Sequence, residues 1–168
     1  MDAILKQPME RPSLAVGIVM ERRTVKSGRW DAERWEAVDV VPDPGGVPHV
    51  LIEDSAHARW LHPGFAVTLY RDEAEGYYLN LATSQPFVFV MWREEDGVAV
   101  PKIVTASYNE AGRMTDGGEQ VDGVPMPADM ARWLAEFTEA HYRPEPKKRI
   151  RPPSFKGARR TPGEEGGR

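Results

Sequence analysis

Histidine, serine, paired acids and paired glycines are the raw material for any site in this chain, because it contains no cysteine. Disulfides, thiolate metal sites, iron–sulfur ligation and cysteine nucleophiles are therefore excluded by composition. The four histidines, His49, His57, His62 and His141, are scattered, and the closest pair, His57 and His62, is five residues apart. A ligating pair wants a spacing nearer i, i+4 with an acid beside it, so these read as surface or loop histidines and no metal site is expected. Ser107 has no Gly-x-Ser-x-Gly elbow around it. Gly45-Gly46 and Gly117-Gly118 lack the strand-to-helix setting in which backbone N–H groups converge on a phosphate, and there is no Gly-x-x-x-x-Gly-Lys-Ser/Thr run. The acids Asp72, Glu73 and Glu75, and the run Glu94-Glu95-Asp96, fall where hairpin tips are expected and read as solvated turns. No catalytic residue is nominated, and the expectation is a protein that is not an enzyme and needs no cofactor.

Aromatic side chains offer a different chemistry. Trp60, Phe65, Tyr70, Tyr77, Tyr78, Phe87, Phe89 and Trp92 fall within one short stretch, and most of them must fill a core. Alternation along a strand still sends some rings to the opposite face. Trp60, His62, Tyr70 and Arg71 are the candidates for a small-ligand or pterin-nucleotide site at the mouth of a β-barrel.

The elements that would position these residues are mostly strands. Ser13 to Met20 is apolar and β-branched and reads as a buried first strand ending at the charges of Glu21-Arg22-Arg23. A polar turn at Lys26-Ser-Gly-Arg29 precedes a second strand, Trp35 to Val41, and the Pro- and Gly-rich run from Pro42 to Pro48 is a loop. His49 to Glu53 makes a short strand. Ala66–Arg71, Tyr77–Ala82 and Pro86–Trp92 read as an antiparallel meander, with Gly97–Ala106 as a seventh strand. Ser107-Tyr-Asn-Glu110 has the spacing of a capping box and predicts a helix from about Tyr108 to Asp116, stopped by Gly117-Gly118. Val121 to Pro127 is a connection. Met130, Trp133, Leu134, Phe137 and His141 then form one apolar stripe on a helix of about 14 residues beginning near Pro127. The fold expected is mainly β (α+β): an antiparallel sheet or partly closed β-barrel of about seven strands, with a short helix and a C-terminal amphipathic helix covering it.

Charge divides the chain. Residues 143–168 hold nine Lys and Arg against three acids, a net of +6, whereas the whole chain carries -4, which leaves -10 on residues 1–142. The organisation expected is therefore a disordered N-terminus over 1–12, a single domain over 13–142, and a disordered basic, Pro-rich tail over 143–168. Nucleic acid is the obvious partner of such a tail, but a body of net -10 repels a polyanion. The tail, at Lys147, Lys148, Arg149 and Arg151, is instead expected to bind an acidic protein partner or to fold back on its own acidic body. No stretch is apolar enough for a membrane span, and no signal segment is legible in residues 1–12, so a cytoplasmic location is expected.

Several segments carry a resemblance. Val16-Gly-Ile-Val-Met-Glu-Arg-Arg23, Arg34-Trp-Glu-Ala-Val38, Trp60-Leu-His-Pro-Gly-Phe65, Leu69 to Leu81, Phe89-Val-Met-Trp-Arg93, Ser107-Tyr-Asn-Glu-Ala111, Glu119 to Pro127 and His141 to Lys148 resemble a proteobacterial family of unknown function. Its members lie in gene clusters with molybdenum formate dehydrogenase subunits, a dedicated chaperone and iron–sulfur proteins. Some are labelled molybdopterin-guanine dinucleotide biosynthesis proteins, although this chain lacks the Gly-rich Leu-Ala-Gly-Gly type start of such a guanylyltransferase. The resemblance implies a non-enzymatic accessory role in formate dehydrogenase maturation, with a dehydrogenase subunit or maturation factor as partner. It carries over no catalytic residue.

Overall fold

The apolar run beginning at Ser13 does not end where the charges begin. In the computed structural model, which describes residues 11–144, β1 spans Ser13–Ser27, turns at Gly28 with φ near +64°, and returns as β2, Trp30–Pro42. The expected first and second strands are thus the inner halves of one long hairpin. The expectations for residues 1–10 and for the tail from 145 onward, with Lys147, Lys148, Arg149 and Arg151, lie outside the described residues.

The remaining strands are β3 (His49–Glu53), β4 (His57–Thr68), β5 (Phe87–Glu95), β6 (Val98–Thr105) and β7 (Gln120–Pro125). They form two antiparallel sheets, ordered β2-β1-β4-β3 and β6-β5-β7. The three helices are α1 (Ala74–Leu81, entered through a single 3-10 turn at Arg71–Glu73), α2 (Tyr108–Asp116) and α3 (Ala128–His141). The class is mainly β, and the two helices read in the sequence, from the Ser107 cap and from the stripe Met130 to His141, are realised as α2 and α3. Among the described residues no helix is long and apolar enough to cross a membrane.

The barrel does not close. The two sheets approach at both flanks, β7 beside β2 and β6 beside β4, but no backbone ladder joins them. A side chain serves instead at the first flank. The β1–β2 register shifts between Val19 and Met20, which leaves Val38 without a partner across the ladder. The N–H of the preceding residue, Ala37, donates to Asp122 Oδ2 on β7 at 2.9 Å, and the same oxygen accepts the Trp92 indole N–H at 2.7 Å.

One core fills the space between the sheets. Val16, Ile18 and Met20 of β1, Ala37 and Val40 of β2, and Val67 of β4 face Val88, Val90 and Trp92 of β5 and Val124 of β7. Met130, Leu134 and Phe137 of α3 close it, as the apolar stripe required.

Three assignments change. Tyr77–Ala82, expected as a strand, lies in α1 and its C-cap: Ala74, Tyr77 and Asn80 are buried at helical spacing, and this packing outweighs the β preference of the tyrosines. Gln120–Pro125, expected as a connection, is β7 and pairs with β5 from Trp92 to Phe87. The strand expected at Ala66–Arg71 begins much earlier, at His57, because Pro63-Gly64 is absorbed as a bulge rather than a turn, with Gly64 at φ near +86°.

Asn80 fastens α1 to the second sheet. Its Nδ2 donates to the carbonyls of Phe87 at 2.7 Å and Ala106 at 2.8 Å, while its Oδ1 accepts the Phe87 N–H at 2.9 Å. The side chain is buried, so each lost bond would leave a backbone group unpaired in a dry site. Asn80→Ala is expected to destabilise the fold by about 3 kcal/mol, read as a fall in the urea midpoint with an unchanged m-value.

Candidate functional site

The sequence-derived ligand set falls in two places. Trp60 and His62 lie two apart on β4 and both point to the core side, opposite Met20 and Ile18 of β1. Trp60 is already engaged: its ring meets Trp35 at 5.4 Å between centroids and the Arg22 guanidinium at 5.5 Å. Burial pushes the His62 imidazole below its ordinary pKa, which favours the neutral ring. Tyr70 and Arg71 follow the far end of β4, about 25 Å along the strand from Trp60 at the usual rise per residue. There the Arg11 guanidinium covers the Tyr70 ring at 4.9 Å, and the Tyr70 N–H donates to the buried Tyr77 hydroxyl at 2.9 Å. Burial pushes the Tyr77 phenol up to about 12, so it stays protonated.

Ser107 is a fully buried helix cap. Its Oγ accepts the Glu110 N–H at 3.1 Å and donates to Glu73 Oε2 at 2.5 Å, and the other oxygen of Glu73 is paired with Arg113. The expected capping box is altered: the Glu110 carboxylate does not reach back to the Ser107 N–H. It accepts instead from the Thr105 hydroxyl at 2.7 Å, whose oxygen takes the Ser107 N–H at 3.1 Å, so Thr105 relays the second half of the motif. A Cβ on Gly76 would fall 2.1 Å from Ser107 Oγ, which is why α1 and α2 can approach so closely only with glycine there.

The densest charged cluster was not visible in the sequence. On the outer side of the first sheet, Glu21 of β1 stands between Arg59 of β4 and Glu36 of β2, and one step along, Arg23 stands between His57 and Arg34. Glu21 is only 1 % exposed. It is paired with Arg23 through the arginine Nε, accepts from Arg59 Nε at 2.6 Å, and accepts from His57 Nε2 at 2.9 Å. Burial by itself would raise the carboxyl pKa, but the bonds from His57, Arg59 and Arg23 outweigh it and bring it down to about 2. The Asp54 carboxylate accepts the Ala56 and His57 N–H groups at 2.9 and 2.8 Å, which fixes the turn that delivers His57. An open depression of about 230 Å³ beside the cluster is lined by Arg23, Thr24, Ala56 and His57. Among the described residues, no group of three or more His, Asp or Glu side chains could hold a metal ion.

A family model described as a protein of unknown function (DUF3305) matches residues 15–151, most of the chain. The chain belongs to the DUF3305 family. No curated protein and no solved structure matches it. The DUF3305 match takes in both sheets, all three helices and the Glu21 cluster, and it runs past the end of α3 to include Lys147, Lys148, Arg149 and Arg151.

The pH dependence of this DUF3305 fold follows from Glu21. Its folded pKa is depressed from 4.5 to about 2, so its contribution is complete above about pH 5 and is lost as the pH falls toward 2. Solvent at Arg23 and Arg59 screens the pairs, leaving on the order of 2 kcal/mol. Glu21→Gln is expected to melt at lower temperature than the parent at pH 7, with the gap shrinking between pH 5 and pH 2. Thermal denaturation across that range checks it, and a gap independent of pH would reject the assignment.

Proposed function

We propose that this protein is a non-enzymatic, cytoplasmic accessory factor that acts by binding another protein, and that its partner is a formate dehydrogenase subunit or maturation factor. The observation that carries the reading is the extent of the family match, which continues beyond α3 into the basic segment at Lys147, Lys148, Arg149 and Arg151. The match spans the folded unit together with the segment that carries these four cations in this chain, and a cationic segment can recognise an acidic surface through long-range attraction. Three polar side chains of the interior are engaged in holding the fold: Asn80 fastens α1 to the second sheet, Asp122 joins the two sheets at the β7–β2 flank, and Ser107 caps α2, whereas the buried Arg22 Nε and His62 Nε2 have no hydrogen-bond partner among the described residues. The choice of formate dehydrogenase rests on the resemblance of the sequence segments described above.

A tagged copy is expected to copurify with a formate dehydrogenase subunit or a maturation protein, and deletion of the gene is expected to lower formate oxidation. Failure of both would overturn the proposal. Truncation after Pro144 keeps the Arg143 side chain that donates to the carbonyls of Glu139, Ala140 and Tyr142 at the end of α3. The truncated protein is expected to melt within about 2 °C of the full chain, a change well under 1 kcal/mol. Its partner binding should weaken, and the difference from the full chain should shrink as salt is raised.

A further inference from the structure

The six residues on the outer side of the first sheet at this end are Arg34 and Glu36 on β2, Glu21 and Arg23 on β1, and His57 and Arg59 on β4. One buried carboxylate there attracts three bases, although a single arginine would neutralise it. Arg34, directly across the ladder from Arg23, has no ion-pair partner among the described residues, and like charges so placed destabilise a strand pair. Glu36 is the only other acid of the six, and the nearby Asp54 uses one carboxylate oxygen on the turn amides of Ala56 and His57. Not counting His57, the three arginines exceed the two glutamates of the six by one charge, which the Asp54 carboxylate beside them offsets, so what sets this patch apart on an acidic body is the grouping of its guanidinium groups.

The arginines are also aimed. Arg23 and Arg59 both meet Glu21 through Nε, and their terminal amino groups have no other partner among the described residues. A guanidinium anchored by one edge loses less rotamer freedom when its remaining N–H groups take a second acceptor. Beside them lies the depression lined by Arg23, Thr24, Ala56 and His57. We propose that this patch, centred on Arg23, Arg34, His57 and Arg59 and ordered by Glu21, is a binding site for an oxyanion, either a phosphate or a carboxylate group. The site lies on the folded body, apart from the basic segment beyond α3, and does not depend on the protein-binding role proposed above.

Titration of the full-length protein with inorganic phosphate, followed by amide and arginine Nε chemical shifts, tests it. Saturable shifts are expected at Arg23, Thr24, Arg34, Ala56 and His57. A parallel titration with a short polyglutamate peptide distinguishes the sources: a free phosphate site saturates with the ion alone, whereas a site for a partner's carboxylates saturates at lower peptide concentration. Arg34→Ala removes an exposed side chain and should weaken binding at least about fivefold. Glu21→Gln separates an ordered site from mere charge. It makes the patch more positive, so diffuse attraction would strengthen, whereas an ordered site loses its anchor and binds more weakly. Linear, unsaturable shifts with both probes would overturn the proposal, as would binding by Glu21→Gln that is unchanged or tighter.

Discussion

Where β7 meets β2 and no ladder forms, a single carboxylate oxygen bridges the two sheets. Asp122 Oδ2 takes both the Ala37 amide and the Trp92 indole, and the first of these is freed by a local irregularity. The β1–β2 register slips at Val38, which turns the Ala37 N–H toward the neighbouring sheet, and Trp92 points inward from β5 beside that gap. Closing the barrel by hydrogen bonds would have required β2 and β7 to run in register along their full length. One bifurcated acceptor achieves local satisfaction without that demand and leaves the core to set the distance between the sheets. The apolar faces of Ile18, Met20, Val88 and Val90 can then pack as they fit.

The first sheet works on both faces. Its inner face is apolar along β1 as far as Met20, whereas its outer face exchanges Val19 and Leu61 for Glu21, Arg23, Arg59 and His57 within four residues along the strands. Alternation alone would place Glu21 in water. The arginines lie over it and remove it from solvent, and the hydrogen bonds they supply offset the burial. The long hairpin arm beyond Arg23 is thereby tied to β4 by charge where the core no longer reaches.

Features that depend on neighbours in sequence were legible, and features that depend on register were not. α2 and α3 announced themselves through Ser107, the Gly117-Gly118 stop and the stripe from Met130 to His141. α1 misled because two adjacent tyrosines favour a strand, and only the partners of Tyr77, namely the Tyr70 amide and Phe137, explain why that segment coils. β7 was hidden by its glycine and its proline, since Gly123 sits where a Cβ would crowd the Phe87 ring, a fact belonging to β5. The Glu21 cluster could not be found from spacing, because His57 and Arg59 lie more than thirty residues away and meet Glu21 only through the β1–β4 alignment. Trp60, His62, Tyr70 and Arg71 were grouped as one site, but β4 runs unbroken from His57 to Thr68 and sets Trp60 and His62 on the strand while Tyr70 and Arg71 follow its far end.

β3 presents Val50, Leu51 and Ile52 to solvent on the outermost strand of its sheet, the kind of edge on which chains self-associate. Its pairing with β4 shifts between Val50 and Ile52, so Val50 lies opposite the inward Trp60 while Ile52 lies opposite the outward Arg59. Two copies meeting edge to edge about Leu51 would set an inward valine against an outward isoleucine at each step. The strand's pleat is thus out of phase with its own mirror pairing, and an edge that looks adhesive in composition is unmatched in geometry.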